Sequence, residues 1–249
     1  MENNQTEYVI PDDGFFFGIG VFETIAVENG KPVLLQKHLS RMHQGLKQLG
    51  IQNVSVRDLD EMFLQNYINE KNIQRGAIKI TVTEKNLLLT NRVNPYTHRD
   101  YERGFSVILS NLTRNETSPF TFLKSLNYGE CILEKRRARS RGADEPVFLN
   151  TRGFLTEGAT TNLFLVKQGE IITPGLKNGL LNGTVREWVM EHYPVAERDV
   201  SWEEALLSDE IFLTNALLGV MPVSRCGVRE FSVHDTARQI LLDYRRDCF

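Results

Sequence analysis

Residues 111–119 read Asn-Leu-Thr-Arg-Asn-Glu-Thr-Ser-Pro, with a single aliphatic side chain, Leu112, in the run. A stretch so poor in apolar residues offers no face to bury, so it reads as a connection between two folded units. It lies near the middle of a chain of 249 residues, a length that encloses a core as one large domain or two small ones. The spacing on each side predicts the contents of the units. Before it, Val21 to Val27 is rich in β-forming residues, and Glu28-Asn29-Gly30-Lys31 is a turn signal ahead of Val33-Leu34-Leu35, which together predict a hairpin. Leu39, Met42, Leu46 and Leu49 recur at helical spacing, and Gly50 stops that helix. Ser55 with Asp58 predicts a capping box for a second helix, with Leu59, Met62 and Phe63 on its apolar face. Ile78, Ile80 and Val82 alternate with Lys79 and Thr81 as in a half-buried strand, and Phe105 to Leu109 predicts another.

After the polar stretch, Tyr128 to Arg141 predicts a helix stopped by Gly142, and short strands follow at Pro146–Leu149, Leu163–Val166 and Ile171–Ile172. Gly183 precedes a helix to about Tyr193, and Ser201 with Glu204 and Ser232 with Asp235 predict two more capping boxes. Strands mixed with helices in both halves predict an α+β fold. The expected organisation is a small domain over 1–111, a linker over 112–122 that feeds Lys124 into a cleft, and a larger domain over 123–249.

Several classes of function fall away. The net charge of −3 is too small to argue for nucleic acid or an anionic membrane surface. The basic run Lys135-Arg136-Arg137-Ala138-Arg139-Ser140-Arg141 reads as a solvated helix face. No apolar run approaches the roughly 20 residues that span a bilayer, and the polar, acidic start of the chain predicts no signal peptide. Cys131, Cys226 and Cys248 are scattered, so neither a disulfide framework nor a zinc site is expected and a reducing cytoplasm is the expected compartment. The five histidines have no ligand spacing, and no metal is expected.

Four short strings remain in fixed order: Phe122-Leu123-Lys124-Ser125-Leu126-Asn127, Thr156-Glu157-Gly158-Ala159-Thr160-Thr161-Asn162, Leu181-Asn182-Gly183-Thr184-Val185-Arg186 and Leu213-Thr214-Asn215-Ala216. They offer an amine, a carboxylate, a glycine-opened helix and a polar strand end, which are the groups a pyridoxal phosphate site needs. A lysine taken out of water has a lowered pKa, so its neutral amine can bond an aldehyde and move a proton. Asp13-Gly14-Phe15-Phe16-Phe17-Gly18-Ile19-Gly20-Val21-Phe22-Glu23 and His38-Leu39-Ser40-Arg41-Met42 complete the pattern. From about Asp13 to about Val223 the chain resembles the class IV aminotransferases, the fold-type IV pyridoxal phosphate enzymes. That resemblance implies a two-domain fold like that of D-amino acid aminotransferases, with pyridoxal 5'-phosphate in the interdomain cleft and the site at a homodimer interface. By the same resemblance Lys124 bonds the cofactor and Glu157 partners the pyridine nitrogen. Arg41, Gly183, Thr184, Thr214 and Asn215 hold the phosphate. Tyr128 donates to the ring hydroxyl, although a core or interface tyrosine fits it equally. Phe22 would face the substrate, although a core aromatic fits it as well. Leu123 and Leu126 can supply an apolar setting for the Lys124 amine.

Within the resemblance, D-amino acid aminotransferases carry a carboxylate-trapping arginine after a Val-Thr pair. Here Val82-Thr83 is followed by Glu84, which repels a carboxylate, unless Arg92 takes over from the following loop. Branched-chain enzymes have a glycine-rich segment after the lysine that is absent here. Lys124-Ser125-Leu126-Asn127, Asn215-Ala216, Met221-Pro222-Val223 and Cys226-Gly227 are similar to the 4-amino-4-deoxychorismate lyases, which make 4-aminobenzoate and pyruvate on the way to folate. A class IV aminotransferase acting on branched-chain or D-amino acids is the alternative.

Overall fold

The structure is a computed structural model that describes residues 8–56 and 59–249. Its first part runs α1 (Asp13–Phe17), β1 (Val21–Glu28), β2 (Lys31–Pro32), α2 (Leu35–Leu49), α3 (Glu61–Glu70), β3 (Gly76–Val82) and β4 (Leu87–Arg92). The four strands pair antiparallel in the order β2-β1-β3-β4. Side chains alternate between faces along a strand, so Val21, Ile25, Val27, Ile78, Ile80 and Val82 share one face. They form a core with Leu39, Met42 and Leu46 of α2 and Leu64 and Ile68 of α3. The opposite face carries Phe22 and Thr24, in register with Thr81 and Lys79.

The rest runs α4 (His98–Arg103), β5 (Phe105–Arg114), α5 (Gly129–Ser140), β6 (Glu145–Asn150), β7 (Leu155–Gly158), β8 (Asn162–Lys167), β9 (Glu170–Pro174), α6 (Thr184–His192), β10 (Val195–Arg198), α7 (Trp202–Leu206), β11 (Glu210–Asn215), β12 (Gly219–Cys226), β13 (Arg229–Glu230) and α8 (Asp235–Cys248). Its sheet has the order β10-β9-β8-β11-β12-β5-β6-β7, with β13 beside β12. One further pair, Glu157↔Asn162, joins β7 to β8 and closes the strands from β8 round to β7 into a ring. Phe105, Val107, Val147, Leu155, Leu163, Leu165, Leu213 and Met221 fill the ring. Phe164, Phe212 and Val220 point outward and are covered by Val185 and Trp188 of α6 and Ile240 and Tyr244 of α8.

Several expectations change. The hairpin returns only over Lys31–Pro32, because Leu34 turns the chain at φ 50° and Leu35 already begins α2. Gly50 ends α2 in the left-handed conformation, as its position predicted. The second helix starts late: Asp60 caps it by accepting from the Phe63 amide, and Ser55 lies in a separate short 3-10 turn, while Asp58 lies outside the described residues. The shifted start turns Met62 and Phe63 outward and Leu64 and Ile68 inward. Ser201 caps α7 as expected, but His234 rather than Ser232 precedes α8 and supplies no side-chain cap. The expected break at residue 111 falls inside β5, which pairs as far as Thr113↔Leu149 and Arg114↔Asn150. Strand pairing uses backbone groups alone, so a polar stretch with no apolar face can still extend a sheet. The change from one sheet to the other falls between β4 and β5.

Candidate active site

Lys124 is held by its backbone against the start of β1. Phe22 donates its amide to the Lys124 carbonyl at 2.9 Å, Leu126 donates to the Gly20 carbonyl at 3.0 Å, and Ser125 forms an antiparallel bridge with Val21. The lysine follows a short turn at Pro119–Phe122 and thus becomes a short extra edge beside the first sheet. Its Nζ sits 4.4 Å from the centroid of the Phe22 ring and 5.4 Å from that of Tyr128. The two rings meet edge to face, 5.2 Å apart. They furnish an apolar setting for the amine, and the flanking Leu126 and Leu123 lie at Gly20 and Gly45. No carboxylate pairs with the amine among the described residues. Burial and then the Arg41 charge bring its pKa down to about 8.

A polar network on the α2 side of β1 meets the start of α6. Glu23 is buried on the core face of β1. Arg41 grips it with Nε at 2.8 Å and Nη2 at 2.7 Å, and His38 Nδ1 is 2.6 Å away. Burial alone would raise the Glu23 carboxyl, but the charges of Arg41 and His38 hold it well below the carboxylate range. Burial, opposed by the Glu23 charge, depresses the His38 imidazole, and the ring turns its Nε2 toward the Thr184 hydroxyl at 3.4 Å. Arg41 also donates Nη1 to the Asn182 carbonyl at 3.0 Å. Gly183 and Thr184 open α6, and no side chain caps it. Free amides in a first helical turn favour an anion, and the arginine beside them retains N–H groups for it.

Glu157 occupies the other end of the site. It is buried, ion-paired with Arg114, and accepts from the Leu181 amide at 3.1 Å and Asn162 Nδ2 at 3.4 Å. Burial raises its carboxyl, and the Arg114 charge opposes the rise. Asn162 also donates to the Leu181 carbonyl at 2.8 Å, so the carboxylate and the segment leading to α6 are one hydrogen-bonded unit. Thr214 lies in register with Asn162, and its fully buried Oγ1 has no hydrogen-bond partner among the described residues.

The structure therefore brings Lys124, Arg41, Tyr128, Glu157, Gly183, Thr184, Thr214 and Asn215 into one region, with some different local uses. The Tyr128 hydroxyl donates to the Ala159 carbonyl at 2.6 Å. Asn215 caps its own turn, accepting from the Leu217 and Leu218 amides at 2.9 Å, and donates to the Thr160 carbonyl at 3.1 Å. Glu23, His38, Asn162 and Arg114 are additions that the sequence reading did not make. Glu23 had a signal: an acid at a core position of an apolar strand requires a cation. Arg114, inside the polar stretch, had none.

The groups suit pyridoxal phosphate. Among the described residues the amine has no acid partner, a buried hydroxyl is left unsatisfied, and an uncapped helix start stands beside an arginine. Lys124 would bond it, Arg41, Thr184 and Thr214 would take the phosphate, and Glu157 would face the ring nitrogen. A sequence model described as amino-transferase class IV matches residues 20–226. The aminodeoxychorismate lyase of Bacillus subtilis (strain 168) is 31% identical over 240 residues, covering 86% of this chain and 80% of that protein. The D-alanine aminotransferase of Bacillus licheniformis is 27% identical over 244 residues, covering 90% and 84%. The crystal structure of 4-amino-4-deoxychorismate lyase from Pseudomonas aeruginosa superposes with a TM-score of 0.85 at 27% identity, covering 97% of this chain and 95% of that one. With this fold, this match and this arrangement of residues, the chain belongs to the class IV aminotransferases, the pyridoxal phosphate-dependent enzymes of fold type IV.

Proposed function

We propose that the enzyme is a lyase that converts 4-amino-4-deoxychorismate to 4-aminobenzoate and pyruvate. The observation that carries this reading is a pair of cations on the cleft-side face of the first sheet. Lys79 stands opposite Thr24 and Thr90, and Arg92 stands opposite Ala77, so both share the face of Phe22. Lys79 Nζ lies 4.8 Å from the Phe22 centroid, on a ring that Lys124 also touches, and among the described residues it has no carboxylate partner. Burial and the neighbouring Arg92 charge lower its pKa. The proposed substrate carries two carboxylates, and D-alanine carries one. Glu84 is exposed and accepts from the Gln52 amide at 3.0 Å, so position 84 offers an acid where a carboxylate-binding cation would stand. Arg92 belongs to β4 rather than to a loop.

Pyridoxal phosphate, when bound, supplies the aldehyde that captures the substrate amine and a ring that accepts its electrons. Lys124 takes the proton from the ring carbon bearing the amine. Its pKa of about 8 leaves a useful fraction as free base near neutrality. Phe22 and Tyr128 screen that amine from water, while Arg114 holds the Glu157 charge in place. The carbon–oxygen bond to the three-carbon unit breaks, and that unit gains a proton on leaving as pyruvate. No net oxidation occurs and no amino acceptor is consumed. Purified enzyme should therefore form 4-aminobenzoate and pyruvate in equal amounts without a keto acid. Product that appears only when a keto acid is supplied would replace this reading with an aminotransferase.

We infer in addition a homodimer in the cytoplasm. Three neighbouring exposed aromatics on α1 support the dimer, with Phe15, Phe16 and Phe17 at 67%, 62% and 68% exposure. Among the described residues no helix is long and apolar enough to cross a membrane.

A further inference from the structure

The ring of strands closes at β7–β8 through a single residue pair, and the 158–161 turn between them has two backbone bonds, from the Gly158 amide to the Thr161 carbonyl at 2.8 Å and from the Ala159 amide to the Pro146 carbonyl at 3.2 Å. Side chains hold it from three sides. Tyr128 donates to the Ala159 carbonyl and Asn215 to the Thr160 carbonyl. From beneath, Glu145 at the start of β6, wholly buried, accepts at Oε1 from the Thr160 amide at 2.6 Å and from the Thr160 and Thr161 hydroxyls at 3.0 and 3.2 Å. Lys135 Nζ lies 2.7 Å from Glu145 Oε2 and donates to Thr160 Oγ1 at 2.7 Å. Tyr128 stands at the N-terminal end of α5 and Lys135 lies two turns further on, so one helix grips two adjacent residues of the loop, Ala159 and Thr160. A Cβ on Gly158 would stand 2.2 Å from Thr161 Oγ1 and 2.9 Å from Glu145 Oε1, so only glycine lets the backbone settle onto the carboxylate.

We propose that the buried Lys135–Glu145 ion pair is a positioning device: it fixes the 158–161 loop and, through it, the placement of Glu157, Tyr128 and Asn215 toward the cofactor. Neither residue reaches the Lys124 amine; both act through Thr160. The proposal rests on the cofactor site described above and is independent of the substrate. Removing the lysine strands a buried carboxylate and strips the Thr160 hydroxyl of its bond from Lys135.

The test uses the full chain without cofactor, then with added pyridoxal phosphate, in Lys135→Met, Lys135→Arg and the double variant Lys135→Met/Glu145→Gln. Hydrogen exchange at the Thr160 amide should be about tenfold faster in Lys135→Met, with the amides of Phe164 and Phe212 as protected as in the parent. Cofactor affinity, read by absorbance titration, should fall by about tenfold or more in Lys135→Met and stay near the parent value in Lys135→Arg. Parent-like exchange at Thr160 together with parent-like cofactor affinity in folded Lys135→Met would overturn the proposal. Should that variant not fold, the double variant decides, since it leaves no unpaired charge. Faster exchange at Thr160 in it supports the role, and parent-like exchange overturns it. Neither readout uses a substrate, so failure of the lyase assignment leaves this test standing, and failure of the parent to bind cofactor would count against the site itself.

Discussion

Lys124 owes its chemistry to the company of two rings and two opposed charges. Arg41 lowers its pKa and Glu23 raises it. Capture of pyridoxal phosphate by the cofactor-free enzyme should therefore rise with pH through about 8, and borohydride should fix the cofactor to the peptide that contains Lys124. Labelling at Lys135 or Lys167 instead would refute the assignment. The midpoint should move down in Glu23→Gln, which removes the supporting negative charge, and up in Arg41→Met, which removes the repelling positive one. Shifts of the opposite sign would show that the pKa is set elsewhere. Glu157 has a separate role. Glu157→Gln should keep cofactor binding but lower turnover by roughly 10²-fold or more, since the ring nitrogen loses its anionic partner. Full activity in that variant would remove Glu157 from the site. Lys124 and Glu157 were legible as residues because each stands in a short motif. Arg114, the partner of Glu157, was not, because a contact between distant stretches leaves no local pattern.

At the scale of elements, α2 delivers two functional side chains one turn apart, His38 and Arg41, to the start of α6. Arg41→Ala should weaken cofactor binding by roughly ten- to a hundredfold, the usual consequence of losing a charged hydrogen-bond partner. Equilibrium titration of the variant checks it, and unchanged affinity would mean that the phosphate lies elsewhere. The short helix α1 depends on one residue. Asp12 accepts from the Gly14 and Phe15 amides with Oδ1, and with Oδ2 from the Thr83 hydroxyl, the Lys85 amide and Asn86. Burial alone would raise its pKa, but these bonds, led by Thr83, bring it below 3.8. That stabilisation is fully present above about pH 4 and is lost as pH falls through the folded-state value. Asp12→Ala should cost about 2–4 kcal/mol, read as a lower denaturant midpoint with unchanged slope. A variant as stable as the parent at neutral pH would contradict the role of this hub.

For the whole molecule, the exposed phenylalanines of α1 lie close to the Lys124 loop: Gly18 packs on Asn127 and Gly20 on Leu126. The Asp12 network holds this apolar surface rigid before any partner arrives, which limits the ordering cost of association. Light scattering on the purified protein should give twice the mass of one 28.5 kDa chain. Phe16→Asp combined with Phe17→Asp should shift the equilibrium toward the single chain, with the chain still folded by circular dichroism. A parent protein that is monomeric at all concentrations would refute the dimer.

By itself the sequence determined what is local. Helix α2 follows from apolar spacing with a glycine stop, the strands from alternation, and the cofactor chemistry from an ordered set of short motifs. The tertiary structure decided which of these stretches meet. It carried β5 through the polar run that looked like a linker, because ladder hydrogen bonds do not depend on side-chain polarity. It placed Glu23, His38, Arg41, Asn182 and Thr184 together, and Arg114 against Glu157, because strand register and ring closure juxtapose segments far apart in the chain. Lys79 was read only as one exposed position of an alternating strand, and the register of β1 with β3 makes it a cation beside Phe22 and Lys124.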